Sequence, residues 1–307
     1  MIFVSGRGLH AVTATAITRI GKHSSAYLQL PGGWFHNNAG WITGEHRTLL
    51  VDTCATESRS RALLEAARGP EPETALTAVL THAHGDHSHG ARQVVEHGGS
   101  VHAANSAVEE IHDGPHTYPE LFEYADWGSI DPPDHITPVT GRTTIDLGGT
   151  HAEIHPVPTR AHTDGDLVIH HPDDGVLFTG DLLFHGVTPL ALHGSIGGWI
   201  EALDWLETFD ADTLIPGHGP VIIRDDSVLA QQREYLRWLL DNTTEALPEF
   251  AKLEDLARRG WPEWHDAERH SVNLRVAHAE NRRHTPDIAD AIAAMLGAAG
   301  NRIPLEL

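Results

Sequence analysis

The chain carries a short histidine-rich motif in its first third: Thr81-His82-Ala83-His84-Gly85-Asp86-His87. It follows residues 75–80, an apolar run that predicts a buried strand. Side chains two positions apart on an extended segment point the same way, so His82 and His84 can approach one metal ion together. A glycine then permits a sharp turn, which leaves Asp86 and His87 free to face a second ion. Four ligand-type side chains within six positions predict a metal site at a strand end.

Three further residues of ligand type, His162, Asp181 and His218, each follow a predicted strand. These strands are predicted at residues 152–157, 176–179 and 213–215. Ligand crevices form at strand ends in α/β sheets, so we expect these three side chains to join the first four. A His-rich surface loop that binds metal only adventitiously is the alternative, and the additional ligand-type residues disfavour it.

The composition restricts the classes of partner. The 307 residues include 21 Lys plus Arg and 43 Asp plus Glu, which gives a formal net charge of −22. A surface this acidic repels phosphate backbones, because nucleic-acid affinity depends on Lys and Arg displacing counterions. We therefore expect no nucleic-acid partner.

The cysteine count and the apolar runs bear on location. Cys54 is the only cysteine, which excludes an intrachain disulfide and zinc sites built on several thiolates, and suits a reducing cytosol. Residues 1–10 lack the apolar stretch of a secretion signal, and no run approaches the ~18 apolar residues of a membrane span. We expect a cytoplasmic protein with no membrane partner.

The pattern of apolar residues divides the chain into two regions. Up to about residue 225, strand-like and helix-like segments alternate, which indicates an α/β fold. Beyond that point the apolar residues follow a 3.6-residue period without strand signals. We therefore predict a catalytic domain over residues 1–225 and a helical C-terminal extension over residues 226–307.

Some local signals set bounds for individual elements. Thr56 can cap a helix over residues 57–68, and a second helix is predicted at residues 88–97. Residues 115–138 carry little periodicity, and long ordered loops of this kind often act as lids. Residues 287–296 are apolar on most faces of a helix, so we expect them to pack into the rest of the molecule.

The seven ligand-type residues, taken together, resemble the pattern of the metallo-β-lactamase superfamily over roughly residues 20–225. The resemblance implies an αββα sandwich with metal ions at one edge, to which the C-terminal helices are an appendage. It also implies which residue holds which ion: His82, His84 and His162 the first, Asp86, His87 and His218 the second, and Asp181 both.

The ligand types indicate the chemistry. Neutral imidazole and carboxylate suit Zn²⁺, so we expect two zinc ions per chain, although the same ligands leave iron open. Two cations roughly 3.5–4 Å apart can share a hydroxide that exists at neutral pH. We expect that hydroxide to attack a substrate carbonyl, most readily of a thioester or ester. Asp86 is the predicted catalytic residue, because a carboxylate there can orient the nucleophile and move a proton.

Departures from other branches of the superfamily narrow the choice. Position 84 is His, where flavodiiron-type members carry Glu, so oxygen reduction is disfavoured. Asp181 stands where true β-lactamases tend to carry Cys or Ser, which disfavours antibiotic resistance as the main role. Only 36 residues separate Asp181 from His218, which leaves no room for the inserted domain of RNA-processing members.

Segments outside the ligands resemble one actinobacterial subgroup of the superfamily. They are Gly32-Gly33-Trp34-Phe35-His36-Asn37-Asn38, Val51-Asp52-Thr53-Cys54-Ala55-Thr56, Gly180-Asp181-Leu182-Leu183-Phe184-His185-Gly186-Val187-Thr188-Pro189 and Glu268-Arg269-His270-Ser271-Val272-Asn273-Leu274. Some members of that subgroup act in aromatic polyketide pathways as second-ring cyclases with thioesterase activity. The resemblance therefore implies a cyclase–thioesterase. Three alternatives stay open: a lactonase or glyoxalase-type thioesterase for a small metabolite, an iron-dependent sulfur dioxygenase, and a non-catalytic metal-binding scaffold.

The substrate is expected to be a small molecule or an acyl group on a carrier. Acyl carrier proteins are usually acidic, so docking would need a basic patch, for which Arg258-Arg259 and Arg282-Arg283 are the candidates. A homodimer is also left open. Aromatic residues that could line a pocket, and two histidines after Asp181 that could face it, are Trp34, Phe35, Trp127, Phe184, His185 and His193.

Overall fold

The computed structural model describes residues 14–69 and 74–307. The strands, in chain order, are β1 (Ala14–Arg19), β2 (Ser24–Leu30), β3 (Ala39–Thr43), β4 (Arg47–Val51), β5 (Ala75–Val79), β6 (Ser100–Ala104), β7 (Phe122–Glu123), β8 (Thr137–Val139), β9 (Thr143–Asp146), β10 (His151–Pro156), β11 (Leu167–His171), β12 (Val176–Phe184), β13 (Thr213–His218), β14 (Ile222–Ile223) and β15 (Ile303–Pro304). The helices are α1 (Glu57–Arg68), α2 (Gly85–Ser88), α3 (Ala91–Glu96), α4 (Val108–His112), α5 (Ile196–Leu206), α6 (Ser227–Asn242), α7 (Phe250–Gly260), α8 (Arg269–Asn281) and α9 (Ile288–Ala299). The prediction made for residues 1–10 lies outside the described residues.

Two mixed sheets hold most of these strands. Within the described residues, the first sheet has the order β1-β2-β3-β4-β5-β6-β8 and the second the order β14-β13-β12-β11-β10-β9. β5 lies between β4 and β6 and is parallel to both. Strands in this position are covered on both faces, which explains why the run before the 81–87 stretch is apolar at every position except Thr77.

The two sheets stack face to face, with helices on both outer faces. Successive side chains of a strand alternate between faces. On β11 and β12, Ile169 and Phe178 join the core between the sheets, together with Leu49 of the first sheet. Their neighbours Val168 and Leu177 join a second core with the helices that cover the second sheet. The expected αββα sandwich is confirmed.

Helix α1 shows how local signals set one boundary. The hydroxyl of Thr56 accepts a hydrogen bond from the backbone N–H of Arg59, as the predicted cap requires. Leu63 and Leu64 are buried in the core between helix and sheet. The helix predicted at residues 57–68 is confirmed with both of its bounds.

The helix predicted at residues 88–97 is wrong in its bounds. α2 ends at Ser88, and α3 begins at Ala91. Between them the backbone N–H of Gly90 donates to the hydroxyl of Thr53 at 3.0 Å. The side chain of a neighbouring loop thus takes the amide that a continuous helix would need.

Two strands that carry site residues are longer than the sequence predicts. Gly180 has a φ of 50°, and the register of β12 against β13 shifts on both sides of it. The chain therefore bulges without leaving the sheet, and β12 continues through Asp181. Pro216 pairs with Gly180, and β13 continues to His218. The strand ends predicted at 179 and 215 are wrong, because glycine and proline mark an irregularity inside the strands here.

The C-terminal helices pack on the second sheet and on α5. Trp199 of α5, Leu236 of α6 and Val272 of α8 are fully buried in the second core. The apolar stretch at 287–296 forms most of α9 and buries Met295 in that core, as expected. The domain boundary between residues 225 and 226 stays a prediction. In the described part of the chain, no helix is both long enough and apolar enough to cross a membrane.

Candidate metal centre

Four segments bring the predicted ligands to one edge of the sandwich. The 81–87 stretch leaves β5 and turns into α2, which carries Asp86 and His87. His162 stands in the loop that follows β10, Asp181 lies in the continuation of β12, and His218 ends β13. All seven side chains fall into two groups whose ligand atoms lie within 4.8 Å of one another.

The first group consists of His82, His84, His162 and Asp181. Nε2 of His162 lies 3.0 Å from Nδ1 of His84 and 3.4 Å from Oδ2 of Asp181. Nε2 of His82 lies 3.8 Å from the same carboxylate oxygen. Three imidazole nitrogens and one carboxylate oxygen therefore face one another at this end of the site.

The second group consists of Asp86, His87 and His218. Oδ2 of Asp86 lies 3.3 Å from Nε2 of His218 and 3.8 Å from Nε2 of His87. Asp181 also contacts this group: its Oδ1 is 3.1 Å from Nε2 of His87, and its Oδ2 is 3.5 Å from Nε2 of His218. One carboxylate thus touches both groups, which is the position that the bridging prediction requires.

The donor set fits metal ions. Among the described residues, buried Nε2 of His82 and buried Oδ1 of Asp181 have no hydrogen-bond partner. Leaving a buried polar atom unpaired costs ~1–3 kcal/mol, so these atoms favour a partner that the protein does not supply. Imidazole nitrogen and carboxylate oxygen are common ligands of Zn²⁺, and the same donors also bind iron. The residues present would therefore hold two metal ions, one in each group.

The three histidines of the first group are in the form that binds metal. Burial lowers the pKa of His82, His84 and His162 well below the usual value. All three imidazoles are therefore neutral near pH 7, and the neutral ring is the metal ligand.

The shared carboxylate gives the second group its charge. Burial opposes ionisation of Asp181, but the neighbouring His218 and His87 hold its pKa well below the usual value. Burial likewise opposes charge on His218, but the carboxylates of Asp181 and Asp86 raise its pKa to about 9. The carboxylates are thus ionised, and a bound cation would neutralise them.

Asp52 orients two of the imidazoles from behind. Its Oδ2 accepts hydrogen bonds from Nδ1 of His87 and from the hydroxyl of Thr81, each at 2.8 Å. The same hydroxyl lies 3.0 Å from Nδ1 of His82 and accepts from it. Donation from Nδ1 directs Nε2 of each ring at the carboxylates, so that a bound metal ion would take its lone pair, which is how outer residues position metal ligands.

His84 directs Nδ1 into the site, whereas His82 and His87 direct Nε2. Its Nδ1 faces His162, and its Nε2 lies 2.9 Å from Nδ1 of His193. When Nε2–H of His84 donates to His193, the lone pair of Nδ1 is left for the metal. The sequence assigned His193 only to the pocket, because a histidine in a loop carries no signal for its partner.

Close backbone approach also shapes the centre. A Cβ at position 217 would lie 1.9 Å from Oδ1 of Asp181, so only glycine lets β13 pass this carboxylate. A Cβ at position 85 would lie 2.3 Å from Nε2 of His89. His89 itself binds the carbonyl of Ala55 and belongs to neither ligand group, so it supports the turn.

A cavity of about 190 Å³ opens over both ligand groups. Asp86, Asp181 and His218 are among the residues at its base. Its walls are mostly apolar and come from distant parts of the chain: Trp34, Phe35, Tyr118, Leu121, Phe122, Phe184, Leu190, Leu192, Ile288, Ile292 and Met295. The cavity therefore joins the polar side chains of the candidate metal centre to an aromatic and aliphatic enclosure.

Some of the residues predicted to line a pocket lie at the cavity surface, and others do not. Trp34, Phe35 and Phe184 line the cavity, as does His193. Trp127 is not among the lining residues and packs behind Phe35, with 5.0 Å between the ring centroids. His185 also lies outside the lining, because its ring binds the carbonyl of Pro220.

Arg269 is a lining residue to which the sequence gave no role. Its guanidinium carbon lies 3.9 Å from the ring centroid of Trp34, and its NH2 group lies 2.9 Å from Oδ2 of Asp266. Its NH1 group donates to the carbonyl of Thr188 at 3.0 Å. These contacts hold a buried positive charge at the cavity wall, opposite in sign to the carboxylates below.

Comparisons with known proteins agree with this geometry. The model of the metallo-β-lactamase superfamily matches residues 32–218, which ends before α6. A metallo-β-lactamase from Pontibacter korlensis superposes with a TM-score of 0.59 at 20% identity, covering 73% of this chain and 99% of that one. FIM-1 from Pseudomonas aeruginosa, solved in a mono-zinc form, gives 0.56 at 21% identity, with 72% and 95% covered. Similarity at this level of identity shows the fold alone.

Among the curated proteins, no sequence matches this chain. The family match nevertheless spans more than half of the 307 residues, and the seven ligand candidates lie inside it. The chain therefore belongs to the metallo-β-lactamase superfamily, whose members are in general metal-dependent hydrolases.

Proposed function

We propose that this chain is a dinuclear zinc hydrolase that cleaves an apolar acyl thioester or ester. The observation that carries the proposal is the cavity, which connects both ligand groups to apolar walls. A substrate held between Trp34 and Phe184 would bury its apolar part and present its carbonyl at the base. Each CH₂ that leaves water contributes ~0.8 kcal/mol, so such a cavity favours an apolar acyl group over a small polar metabolite.

The residues at the base have separate tasks in this proposal. Two bound metal ions would supply a hydroxide at neutral pH and polarise the substrate carbonyl. Asp86 lines the cavity, so its carboxylate can orient the nucleophile and take up a proton. Asp181 contacts both ligand groups and holds them at a fixed separation.

The specific activity that we propose is second-ring cyclisation and thioester cleavage of an aromatic polyketide. A base removes a proton from a carbon between two carbonyls, and the resulting enolate carbon bonds to a carbonyl carbon whose C=O π bond opens to an alkoxide. The alkoxide takes a proton from the protonated base, the resulting hydroxyl leaves as water to give the aromatic ring, and a second water cleaves the thioester to acid and thiol. Aromatic walls such as Phe35 and Phe122 can stack on planar rings. The guanidinium of Arg269 at the wall can stabilise an enolate oxygen.

The test compares thioesters that share one thiol and differ in the acyl group. We expect kcat/KM to rise by about tenfold or more from acetyl to a two-ring aryl acyl group, since about 1.4 kcal/mol of added burial is tenfold. S-lactoylglutathione and a homoserine lactone serve as matched small substrates. Efficient turnover of either, with no preference for the aryl group, would replace this proposal with the glyoxalase or lactonase alternative.

We further propose that an acyl carrier protein delivers the substrate. Arg282 and Arg283 are exposed at the end of α8, and Arg283 lines a second cavity that shares His193 and Ile288 with the first. Charge reversal in Arg283→Glu should raise KM for a carrier-bound thioester and leave the free thioester unaffected. Arg259→Glu, on α7, tests the other candidate pair in the same way; equal effects on both substrates in both variants would contradict carrier docking.

An iron-dependent sulfur dioxygenase is the second candidate, because the His82, His84, His162 and Asp181 group by itself suits one iron ion. The separate group of Asp86, His87 and His218 favours two ions over one. Metal analysis of protein purified without added metal, together with oxygen uptake, distinguishes the two. If the purified protein holds one equivalent of iron and consumes oxygen, the proposal of a hydrolase is wrong.

A further inference from the structure

A second cluster of ligand-type side chains lies on the outer face of the second sheet. Glu153 and His155 stand two positions apart on β10, and His170 on β11 pairs directly with Glu153. Their neighbours Ala152 and Ile154 face the core between the sheets, so the cluster points away from it. None of the three residues lines the active-site cavity or belongs to the seven ligand candidates.

The distances within this cluster lie within about 0.2 Å of those expected between ligands of one tetrahedral ion. Oε2 of Glu153 lies 3.1 Å from Nε2 of His155 and 3.7 Å from Nδ1 of His170. Ligand atoms at 2.0–2.2 Å from a tetrahedral ion are separated by about 3.3–3.6 Å. The corresponding nitrogen–oxygen separations in the first ligand group of the active site are 3.4 and 3.8 Å.

The two imidazoles are held in position by contacts outside the cluster. Nε2 of His170 donates to the carbonyl of Asp210 at 3.2 Å, which leaves the lone pair of Nδ1 directed toward Glu153. Such a bond to a carbonyl is the usual companion of a metal-binding histidine. Both rings also lie edge-on to Phe209, with centroid distances of 4.9 Å for His155 and 5.4 Å for His170.

We propose that Glu153, His155 and His170 bind one Zn²⁺ ion, separate from the active-site pair, with water in the fourth position. Two imidazoles and one carboxylate are a donor set that zinc takes in proteins when one position stays open. The three side chains are 10–16% exposed, so the ion would be shielded yet reachable from solvent. It would connect β10 to β11 and, through Asp210, to the turn after α5.

Arg142 offers a substitution that should strengthen zinc binding, whereas loss of a ligand should weaken it. Its NH2 group lies 2.7 Å from Oε1 of Glu153, and its side chain is 64% exposed. This cation competes with a metal ion for the charge of the carboxylate. Removing it in Arg142→Gln should therefore tighten zinc binding, and the exposed position should leave the fold intact.

The experiment is a titration of chelator-treated full-length protein with Zn²⁺ alone, in competition with a chromophoric chelator. We expect Glu153→Gln to bind one equivalent fewer than wild type, or to bind that equivalent at least about tenfold more weakly, while hydrolase activity is unchanged. His135→Gln removes an exposed histidine outside all the ligand clusters and should keep the wild-type count.

Two results would overturn the site. One is equal zinc stoichiometry and affinity in wild type and Glu153→Gln. In that case the cluster is only a set of ion pairs and does not bind zinc. The other is Arg142→Gln that binds the additional equivalent no more tightly than wild type. Should Glu153→Gln fail to fold, the Arg142 variant decides alone, since it retains all three ligands.

Discussion

The metal centre and the walls of the cavity above it are built in different ways. The ligands stand on strand ends and short turns, where the two sheets fix their positions, as with Asp181 on β12 and His218 on β13. Most of the walls come from peripheral segments that carry no ligand, such as those of Trp34, Phe122 and Ile292, whereas Phe184 lies on β12 with Asp181. In the proposed function, the sheets would set the chemistry of the site, and the periphery would set which substrate it accepts. Substitutions in the two regions should therefore have separable effects.

The largest effect is expected at Gly217. An alanine there would place a methyl group 1.9 Å from Oδ1 of Asp181, so the shared carboxylate must move. We expect Gly217→Ala to lose bound metal and to lower kcat/KM by at least about 100-fold. Gly297→Ala on α9 is the control, since a Cβ there meets nothing within 4 Å. Normal metal content with normal turnover in Gly217→Ala would contradict the bridging role.

A pH effect on stability is expected in the C-terminal helices. Burial lowers the pKa of His270 to about 4, against a usual value of 6.5. The unfolded chain therefore binds this proton more readily than the folded one, so stability is full above pH 6.5 and falls as the pH drops toward 4. The loss is about 3 kcal/mol at most.

This effect is measured by urea unfolding of wild type and His270→Gln between pH 4 and 7. His36 and His89 also have a pKa lowered to about 4 by burial, but they titrate in both proteins. The difference between the two proteins in how the free energy of unfolding changes with pH therefore isolates His270. If the free energy of unfolding changes with pH in the same way in wild type and His270→Gln, the pKa assigned to His270 is wrong.

His193 tests whether a residue of the cavity wall also serves the metal centre. His193→Ala removes the acceptor 2.9 Å from Nε2 of His84, so the ring is free to turn. We expect Zn²⁺ affinity to fall about 10–100-fold, measured by chelator competition. His193→Asn keeps an acceptor and should recover most of the affinity. Equal affinity in wild type and His193→Ala would confine His193 to the wall.

The smallest effect is expected at the wall itself. Ile292→Asn places a polar amide in the apolar part of the cavity, far in sequence from every ligand. KM for an aryl thioester should rise about tenfold while metal content stays constant, because the lost burial is worth about 1–2 kcal/mol. Ala293→Asn, at an exposed position of the same helix, is the control. A loss of metal in Ile292→Asn would break the separation between the two regions.

The sequence predicts the sheet-borne part of the molecule well, because local rules govern it. The two-residue period of an extended segment placed His82 and His84 together, and the cap at Thr56 located α1. The ends of β12 and β13 were wrong, since Gly180 and Pro216 lie in a bulge that only the pairing of the two strands reveals.

The cavity walls were less predictable, because they depend on contacts between distant segments. The apolar character of residues 287–296 predicts a packed helix but not that Ile292 lines the cavity. Arg269 gave no signal, since a buried arginine on a helix is defined by its partners Trp34 and Asp266. Trp127 is predicted to line the cavity but packs behind Phe35, because the local sequence does not distinguish a ring that lines a cavity from the ring behind it.

The most direct test is anomalous scattering at the zinc absorption edge from crystals of catalytically active protein. We expect two peaks at the edge of the sandwich, one among His82, His84 and His162, the other among Asp86, His87 and His218, with Asp181 in contact with both. Active protein whose crystals show no metal among these seven residues would contradict a catalytic metal centre at this edge of the sandwich.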